Sequence, residues 1–172
     1  MEGGHNMSNM YANRLTIEAD NAEEIIKSLL KIYDYGDEAD IDFNKIIKMP
    51  KSVKASDKTE WAKKHWGCKD NAVNTAVYLD KGVIEFETPW CHCLPVVEKL
   101  AEQNPEATIT YEYSSEEAGY DVGKNIYMYG HLLIVVEMES FTKEAYEQYF
   151  DLCGKDDSFV YDEEKGTYIF RG

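Results

Sequence analysis

Cysteine and histidine side chains are concentrated in one part of the sequence, where they could bind a metal ion. Cys68 follows His65 closely, and Cys91-His92-Cys93 comes further along the chain. Zinc is commonly held by four thiolate or imidazole ligands, so a metal site would use Cys68, Cys91, His92 and Cys93. However, no Cys-x2-Cys pair, the usual zinc-knuckle spacing, occurs in the chain. We therefore predict no metal and no cofactor, and name these four residues as the candidates should a metal be bound.

The same residues could instead form a nucleophile and its base, with His65 or His92 deprotonating Cys68 or Cys91. No glycine-rich oxyanion turn accompanies them, and the chain contains no phosphate-binding Walker loop, dinucleotide fingerprint or zinc-protease motif. Adjacent acidic pairs along the chain are best explained as solvated surface. We therefore expect a protein that is not an enzyme, and keep a metal- or cysteine-dependent enzyme as a third interpretation.

A predicted β-hairpin must position these side chains. Residues 73–78 alternate in polarity as a pleated strand does, residues 80–82 form a glycine turn, and residues 83–86 resume the strand until Pro89 ends it. An antiparallel pair brings its two outer ends together. We therefore expect the indoles of Trp66 and Trp90 to lie side by side.

Two interpretations of these tryptophans remain open. Both indoles could cap one end of the hydrophobic core, because large aromatic side chains mostly supply buried area. Alternatively, they could enclose a small recognition pocket. The candidate binding residues for that pocket are Trp66, Lys69, Asn71, Thr88, Trp90 and Cys91.

The order of predicted elements indicates an α+β fold. Leaving out an insert at 36–67, residues 12–138 read strand, helix, strand, strand, helix, strand, and then further strands. This is the ferredoxin-like βαββαβ order, a two-layer sandwich whose antiparallel sheet is extended by extra C-terminal strands. The insert, partly helical, separates the first helix from the second strand. Leu132–Val136 is apolar throughout, so we expect this strand to be central or covered. Residues 139–172 are predicted to pack on the same domain as a helix and small hairpin, and residues 1–11 to form a tail.

Charge is distributed unevenly along a chain whose formal net charge is −15. Residues 98–172 contain 17 acidic and 6 basic residues, whereas residues 43–69 contain 8 lysines and 2 acidic residues. An acidic body disfavours nucleic acid as a general ligand because it repels phosphates. No apolar run approaches the ~20 residues that span a membrane, and no signal peptide is recognisable. We therefore expect a cytoplasmic protein with reduced thiols.

Several short motifs along residues 12–138 recur in a known family. They are Phe43-Asn44-Lys45-Ile46-Ile47-x-Met49-Pro50, Trp66-Gly67-x-Lys69-x-Asn71-Ala72, Phe86-x-Thr88-Pro89-Trp90, Asn104-Pro105, and Tyr113 with Gly119 and Gly123. Together they resemble the ferredoxin-like domain of YubB-like and Api-type proteins, which phages and plasmids carry. The resemblance implies a fold and a mobile-element origin but no reaction. The sequence departs from the family at Cys68, where Thr is usual, and at residues 91–93, where Ser-Pro-Pro is usual.

Two binding functions follow from these features. The first is a non-catalytic protein-binding module of a mobile element, in its sharper form an acidic nucleic-acid mimic that inhibits a host nuclease or defence protein. The alternative is a single-stranded nucleic-acid-binding domain that stacks bases on sheet tyrosines beside the lysine-rich insert. The tyrosines expected to form that face are Tyr111, Tyr113, Tyr127 and Tyr129.

Overall fold

A computed structural model describes residues 9–33 and 39–172, which contain four α-helices and ten β-strands. In chain order these elements are β1 (Met10–Glu18), α1 (Ala22–Leu29), β2 (Leu30–Ile32), β3 (Ala39–Ile41), α2 (Lys58–Trp66), β4 (Val73–Tyr78), β5 (Val83–Pro89), α3 (Leu94–Gln103), β6 (Thr108–Ser115), β7 (Val122–Met128), β8 (His131–Met138), α4 (Lys143–Cys153), β9 (Phe159–Asp162) and β10 (Thr167–Phe170). Among these helices, none is both long enough and apolar enough to cross a membrane.

Six strands form one antiparallel sheet in the order β4-β5-β1-β6-β7-β8. The βαββαβ series consists of β1, α1, β4, β5, α3 and β6. Its four strands lie side by side, with β1 between β5 and β6. The ferredoxin-like prediction is therefore confirmed. The last two strands, β7 and β8, extend the sheet beyond β6, also as predicted.

The main core lies between the sheet and helices α1 and α3. Successive side chains of a strand point to opposite faces, and on β1 it is Tyr11, Asn13, Leu15 and Ile17 that are buried. Tyr11, Leu15 and Ile17 belong to a single hydrophobic cluster with the buried faces of α1 and α3. Burying these apolar side chains supplies the main driving force for this layer.

The C-terminal residues form a partial third layer on the opposite face of the sheet. Arg14 of β1 donates to Asp151 of α4 over 2.6 Å, and Gln148 of α4 donates to Glu112 of β6 over 2.9 Å. Helix α4 also packs against the β9–β10 hairpin through a cluster of aromatic rings. The C-terminal residues thus pack on the same domain and cover part of the face that α1 and α3 leave free.

The insert covers one edge of the sheet. Asp40 of β3 accepts a hydrogen bond from the backbone N–H of Thr75 in β4 over 3.0 Å, and the Thr75 hydroxyl accepts one from the N–H of Ile41 over 3.2 Å. The first residues of the predicted insert, 36–38, lie outside the described residues. At the N-terminus, so do residues 1–8 of the predicted tail, but Met10 and Tyr11 already belong to β1 because their backbones pair with β5.

Candidate functional site

The two outer ends of the β4–β5 hairpin meet, as its antiparallel pairing requires. The N–H of Lys69, just after α2, donates to the carbonyl of Pro89 at the end of β5 over 3.1 Å. The N–H of Trp90 donates to the carbonyl of Asn9 over 2.7 Å. Residues 66–71 and 88–91 therefore lie together, and all the candidate binding residues are in this region.

Trp66 is part of the core. It is buried, its indole Nε1 donates to the carbonyl of Ile47 over 2.9 Å, and its ring packs edge-on against Phe43 and Trp61. For this tryptophan the core interpretation is correct. Helix α2 ends directly after it, at Gly67, where the backbone enters the left-handed region that favours glycine.

Trp90 points outward instead, so the expectation that the two indoles lie side by side is wrong. Ile84, Phe86 and Thr88 face the core, and simple alternation along β5 would put Trp90 on the same face. The Trp90 backbone has φ = 76°, a left-handed conformation that interrupts the alternation and turns the side chain outward. As a result, the indole is 50% exposed.

Two lysine side chains contact the exposed indole. The Nζ atoms of Lys69 and Lys63 lie 4.5 Å and 5.4 Å from the centroid of the Trp90 ring, which is cation–π distance. Lys58 and Lys64, also on α2, are exposed on the same lysine-rich segment. We call Trp90 with Lys58, Lys63, Lys64 and Lys69 the tryptophan–lysine surface. The pocket prediction included only Trp90 and Lys69, although the positive charge of residues 43–69 could have identified the other three.

Thr88 is buried and stabilises this region through hydrogen bonds, whereas Asn71 is partly exposed and lines a surface groove together with Trp66 and Lys69. The Thr88 side chain is buried; its hydroxyl accepts from Asn13 Nδ2 over 3.0 Å and donates to the carbonyl of Cys91 over 2.8 Å. Asn71 Oδ1 accepts from the N–H of Phe43 over 2.8 Å, and its Nδ2 donates to Asp42 over 2.9 Å. Burial raises the pKa of Asp42, but the hydrogen bonds from Asn71 and Asn44 lower it overall.

The cysteines do not assemble a metal site. Within residues 9–33 and 39–172, no three His, Cys, Asp or Glu side chains are grouped so that they could hold an ion. Cys68 and Cys93 are buried, and the Cys93 N–H donates to the Tyr111 hydroxyl over 3.0 Å. Burial raises the pKa of the Cys68 and Cys91 thiols. It also raises the pKa of the Cys93 thiol, to about 12. All three thiols therefore remain protonated at neutral pH.

Within the described residues, neither predicted base forms a hydrogen bond to a thiol. The Nδ1 atom of His65 donates to the carbonyl of Trp61 over 2.8 Å, and the two rings stack with centroids 4.2 Å apart. The His92 ring packs against Tyr113, with centroids 4.2 Å apart, and burial lowers the pKa of this imidazole. A neutral, half-buried imidazole beside protonated thiols does not form the ion pair that a cysteine nucleophile needs.

The predicted tyrosine platform is also wrong. Tyr111, Tyr113 and Tyr127 are buried on the face that packs beneath α3, so no base could reach their rings. Only Tyr129, in the β7–β8 turn, is open to solvent, with 74% of its surface exposed. The sequence could not reveal this because alternation defines two faces of a strand without identifying which one the helices cover.

Strand β8 is an open edge of the sheet, which corrects the expectation that it is central or covered. Leu132, Leu133, Ile134, Val135 and Val136 are between 40% and 55% exposed. Within the described residues β8 pairs only with β7. The sequence contains the apolar run, but such a run is buried only when other elements cover both faces of the strand. Here α3 contacts β8 but leaves its aliphatic side chains exposed, and α4 lies over β1, β6 and β7.

A family model described as the ferredoxin-like domain in Api92-like protein matches residues 59–156. The match begins in α2 and ends just beyond α4, so it includes most of the tryptophan–lysine surface and all of β8. Searches among curated proteins and among solved structures each found no match to the chain. Because the match covers more than half of the residues and agrees with the observed topology, this chain belongs to the family of ferredoxin-like domains found in Api92-like proteins.

Proposed function

We propose that this protein is a non-catalytic protein-binding module of a mobile genetic element, and that it binds its partner by adding one of the partner's strands to β8. The observation that carries the proposal is the run of five exposed aliphatic residues on β8, whose outer edge has no partner strand within the described residues. An edge strand presents unpaired backbone N–H and C=O groups, and partners that add a strand use them for affinity while side chains supply specificity.

The contrast between the two sheet edges supports this choice. The outer edge of β4 is shielded by β3 through the hydrogen bonds of Asp40 and Thr75. Long, apolar edge strands invite aggregation unless charges, proline or another element protect them. The aliphatic run of β8 contains neither a charged residue nor a proline. A partner strand would supply the protection that β3 gives to β4.

A bulge limits where that strand would pair. The register between β7 and β8 shifts by one residue between Ile126 and Tyr127, which leaves Leu133 as the extra residue of β8. Bulges bend a strand and interrupt its pairing. Residues 134–138 continue in regular register with β7. We therefore expect the partner to pair along Ile134–Met138.

The charges around β8 indicate the chemistry of the partner. Glu137 and Glu139 lie at its C-terminal end, and Glu98 and Glu102 are exposed on α3, which packs beside β8. An extended aliphatic segment flanked by lysine or arginine would complement this edge. A second copy would bring two chains of net charge −15 together and is disfavoured for that reason.

The sharper form of the proposal is that the acidic C-terminal layer imitates nucleic acid. Glu144, Glu147 and Asp151 are exposed and recur at helical spacing on α4, and the pairs Asp156-Asp157 and Glu163-Glu164 are exposed beyond it. A partner whose nucleic-acid-binding cleft accepts these carboxylates would bind with a steep dependence on salt. This would suit an inhibitor of a host nuclease or defence protein.

Synthetic peptides test the strand addition directly. The probe is a fluorescein-labelled peptide with five Val/Ile residues between pairs of lysines, and the comparison is the same peptide with glutamates at its ends. The double variant Ile134→Ser/Val136→Ser removes two exposed aliphatic side chains from β8 without changing charge. Cross-strand contacts of this kind contribute up to about 1 kcal/mol each, so we expect binding of the lysine peptide to weaken about tenfold.

The control variant is Val73→Ser/Tyr78→Ser, which removes two apolar residues of 38% and 39% exposure from the opposite edge strand, β4. It should bind the peptide as the natural chain does. The proposal fails if neither peptide binds, if both double variants weaken binding equally, or if the glutamate peptide binds as tightly. Light scattering that shows a dimer, lost only in the β8 variant, would assign the edge to a second copy and contradict the partner proposed here.

A further inference from the structure

We propose that the tryptophan–lysine surface is a second, independent site that binds a short single-stranded segment of nucleic acid. It follows β5, and three strands of the sheet separate it from β8. It therefore does not depend on the strand addition proposed above. Three observations carry it: the display of the Trp90 indole, the uncompensated positive charge around it, and the acidity of the rest of the molecule.

The fold holds the Trp90 indole in solvent. A left-handed backbone is uncommon for a bulky residue, yet hydrogen bonds fix it here, from the Trp90 N–H to Asn9 and from the Lys69 N–H to Pro89. Trp66, which lies nearby, is packed in the core. Residues held in sparsely populated conformations are often found at binding sites. The outcome is a flat aromatic surface, half exposed, at a fixed position.

Three of the four lysines of this surface have no ion-pair partner within the described residues. Lys63 pairs with Glu60 over 2.8 Å, but among the described residues no carboxylate lies within 4 Å of the ammonium groups of Lys58, Lys64 or Lys69. Like charges held close together favour an anionic ligand. Lys58 and Lys69 also line a common groove of about 200 Å³, which Trp66 and Asp70 line as well.

An aromatic ring flanked by lysines matches the chemistry of single-stranded nucleic acid. Bases of any sequence stack on exposed aromatic rings, and ammonium groups neutralise the phosphates on either side. The ammonium groups of Lys63 and Lys69 now lie over the indole, and they would move to phosphates when a base takes the ring face. An acidic peptide would satisfy the lysines but would leave the indole without a stacking partner.

The acidic body determines that the ligand is single-stranded and short. Outside residues 43–69 the chain is strongly acidic, and phosphates that extend beyond the lysines would be repelled. A duplex carries two phosphate strands and would bring one of them against that body, whereas a single strand can remain along the lysines. Contacts to two to four phosphates would give a salt dependence of log K on log[salt] with a slope of about −1.4 to −2.8.

Fluorescence anisotropy with a fluorescein-labelled ten-nucleotide oligothymidylate at low ionic strength tests this site. We expect binding with the slope given above, and quenching of the tryptophan emission as a base stacks on Trp90. The variants Trp90→Ala and Lys69→Glu should each weaken binding at least about tenfold, because stacking contributes about 1–3 kcal/mol per base and Lys69 lies closest to the indole.

Two control variants match these changes elsewhere on the surface. Tyr129→Ala removes another exposed aromatic side chain, and Lys165→Glu makes the same change of charge in the β9–β10 turn. Both should bind the oligonucleotide as the natural chain does. The proposal is overturned if no binding occurs, if either control weakens binding as much as its counterpart, or if a duplex or a polyglutamate peptide competes as well as unlabelled oligothymidylate. Thermal unfolding of each variant verifies that it is folded.

Discussion

Tyr111 carries a hydroxyl group into the core, where it joins β6, β1 and α3. Its oxygen donates to Asn13 Oδ1 over 2.6 Å and accepts from the N–H of Cys93 over 3.0 Å. Asn13 continues the chain of hydrogen bonds to Thr88. All of these groups are buried, and buried polar groups are almost always paired because leaving them unpaired is costly. The network therefore fixes how α3 and the central strands meet.

We expect Tyr111→Phe to lower the free energy of unfolding by about 1–3 kcal/mol, because Asn13 Oδ1 and the Cys93 N–H would both lose a partner while staying buried. Urea unfolding followed by circular dichroism measures the change. The matched control is Tyr127→Phe, since within the described residues that buried hydroxyl has a single long hydrogen bond, 3.4 Å from Asn125 Nδ2. Equal losses in the two variants would show that the Tyr111 network does not stabilise the core in this way.

At the scale of elements, two glycine turns with nearly the same backbone have different surroundings. Gly82 in the β4–β5 hairpin has φ = 64°, and Gly166 in the β9–β10 hairpin has φ = 66°. A Cβ atom on Gly82 would lie 2.4 Å from the carbonyl oxygen of Ile17, whereas one on Gly166 would meet no described residue within 4 Å. The carbonyl of Gly82 also accepts from the N–H of Ile17 over 2.8 Å, so the turn is tied to the end of β1.

The paired substitutions Gly82→Ala and Gly166→Ala separate backbone strain from steric conflict. The left-handed conformation costs an L-residue about 1–2 kcal/mol at either site. Gly82→Ala should lose about 1–3 kcal/mol more, because the Ile17 backbone must move to accommodate the methyl group. Thermal unfolding compares the two variants. If Gly166→Ala destabilised the protein as much as Gly82→Ala, close approach to β1 would not be what requires glycine in the first turn.

At the scale of the whole molecule, the layers set which cysteines can react. Cys68 and Cys93 lie within the core beneath the helices, Cys91 is half-buried, and Cys153 is exposed at the end of α4. Partial burial of the Cys153 sulfur, together with the nearby carboxylate of Glu87, raises the pKa of its thiol to about 11. Only the thiolate is nucleophilic, so both position and charge suppress reactivity.

Iodoacetamide labelling followed by mass spectrometry should therefore modify Cys91 and Cys153 in the native protein and spare Cys68 and Cys93 until the chain unfolds. At pH 8, a thiol with a pKa of about 11 is ionised in only about one molecule in a thousand, so Cys153 should react much more slowly than free cysteine. Because its pKa is raised, the rate should increase about tenfold per pH unit between pH 7 and 9. Rapid native labelling of Cys68 or Cys93 would contradict the packing of α3 on the sheet.

Local patterns in the sequence were enough to predict the hairpin and the βαββαβ order. Alternation along residues 73–78, the glycine at position 82 and the proline at position 89 act within a few residues of one another. Each of these signals reflects a preference of the backbone itself, such as left-handed φ at glycine or the missing N–H of proline. The family motifs then agreed with the topology that these elements form.

The sequence by itself therefore determined the type and order of the core elements, because hydrophobic periodicity and turn chemistry are local. Only the tertiary structure decided that Trp90 faces solvent, that β8 is an uncovered edge and that Tyr111 and its neighbours are buried. These outcomes depend on which strand lies last in the sheet and which face the helices cover. Such pairings join residues far apart in the chain. The packing energies that select them depend on the whole fold, so no short stretch of sequence predicts them.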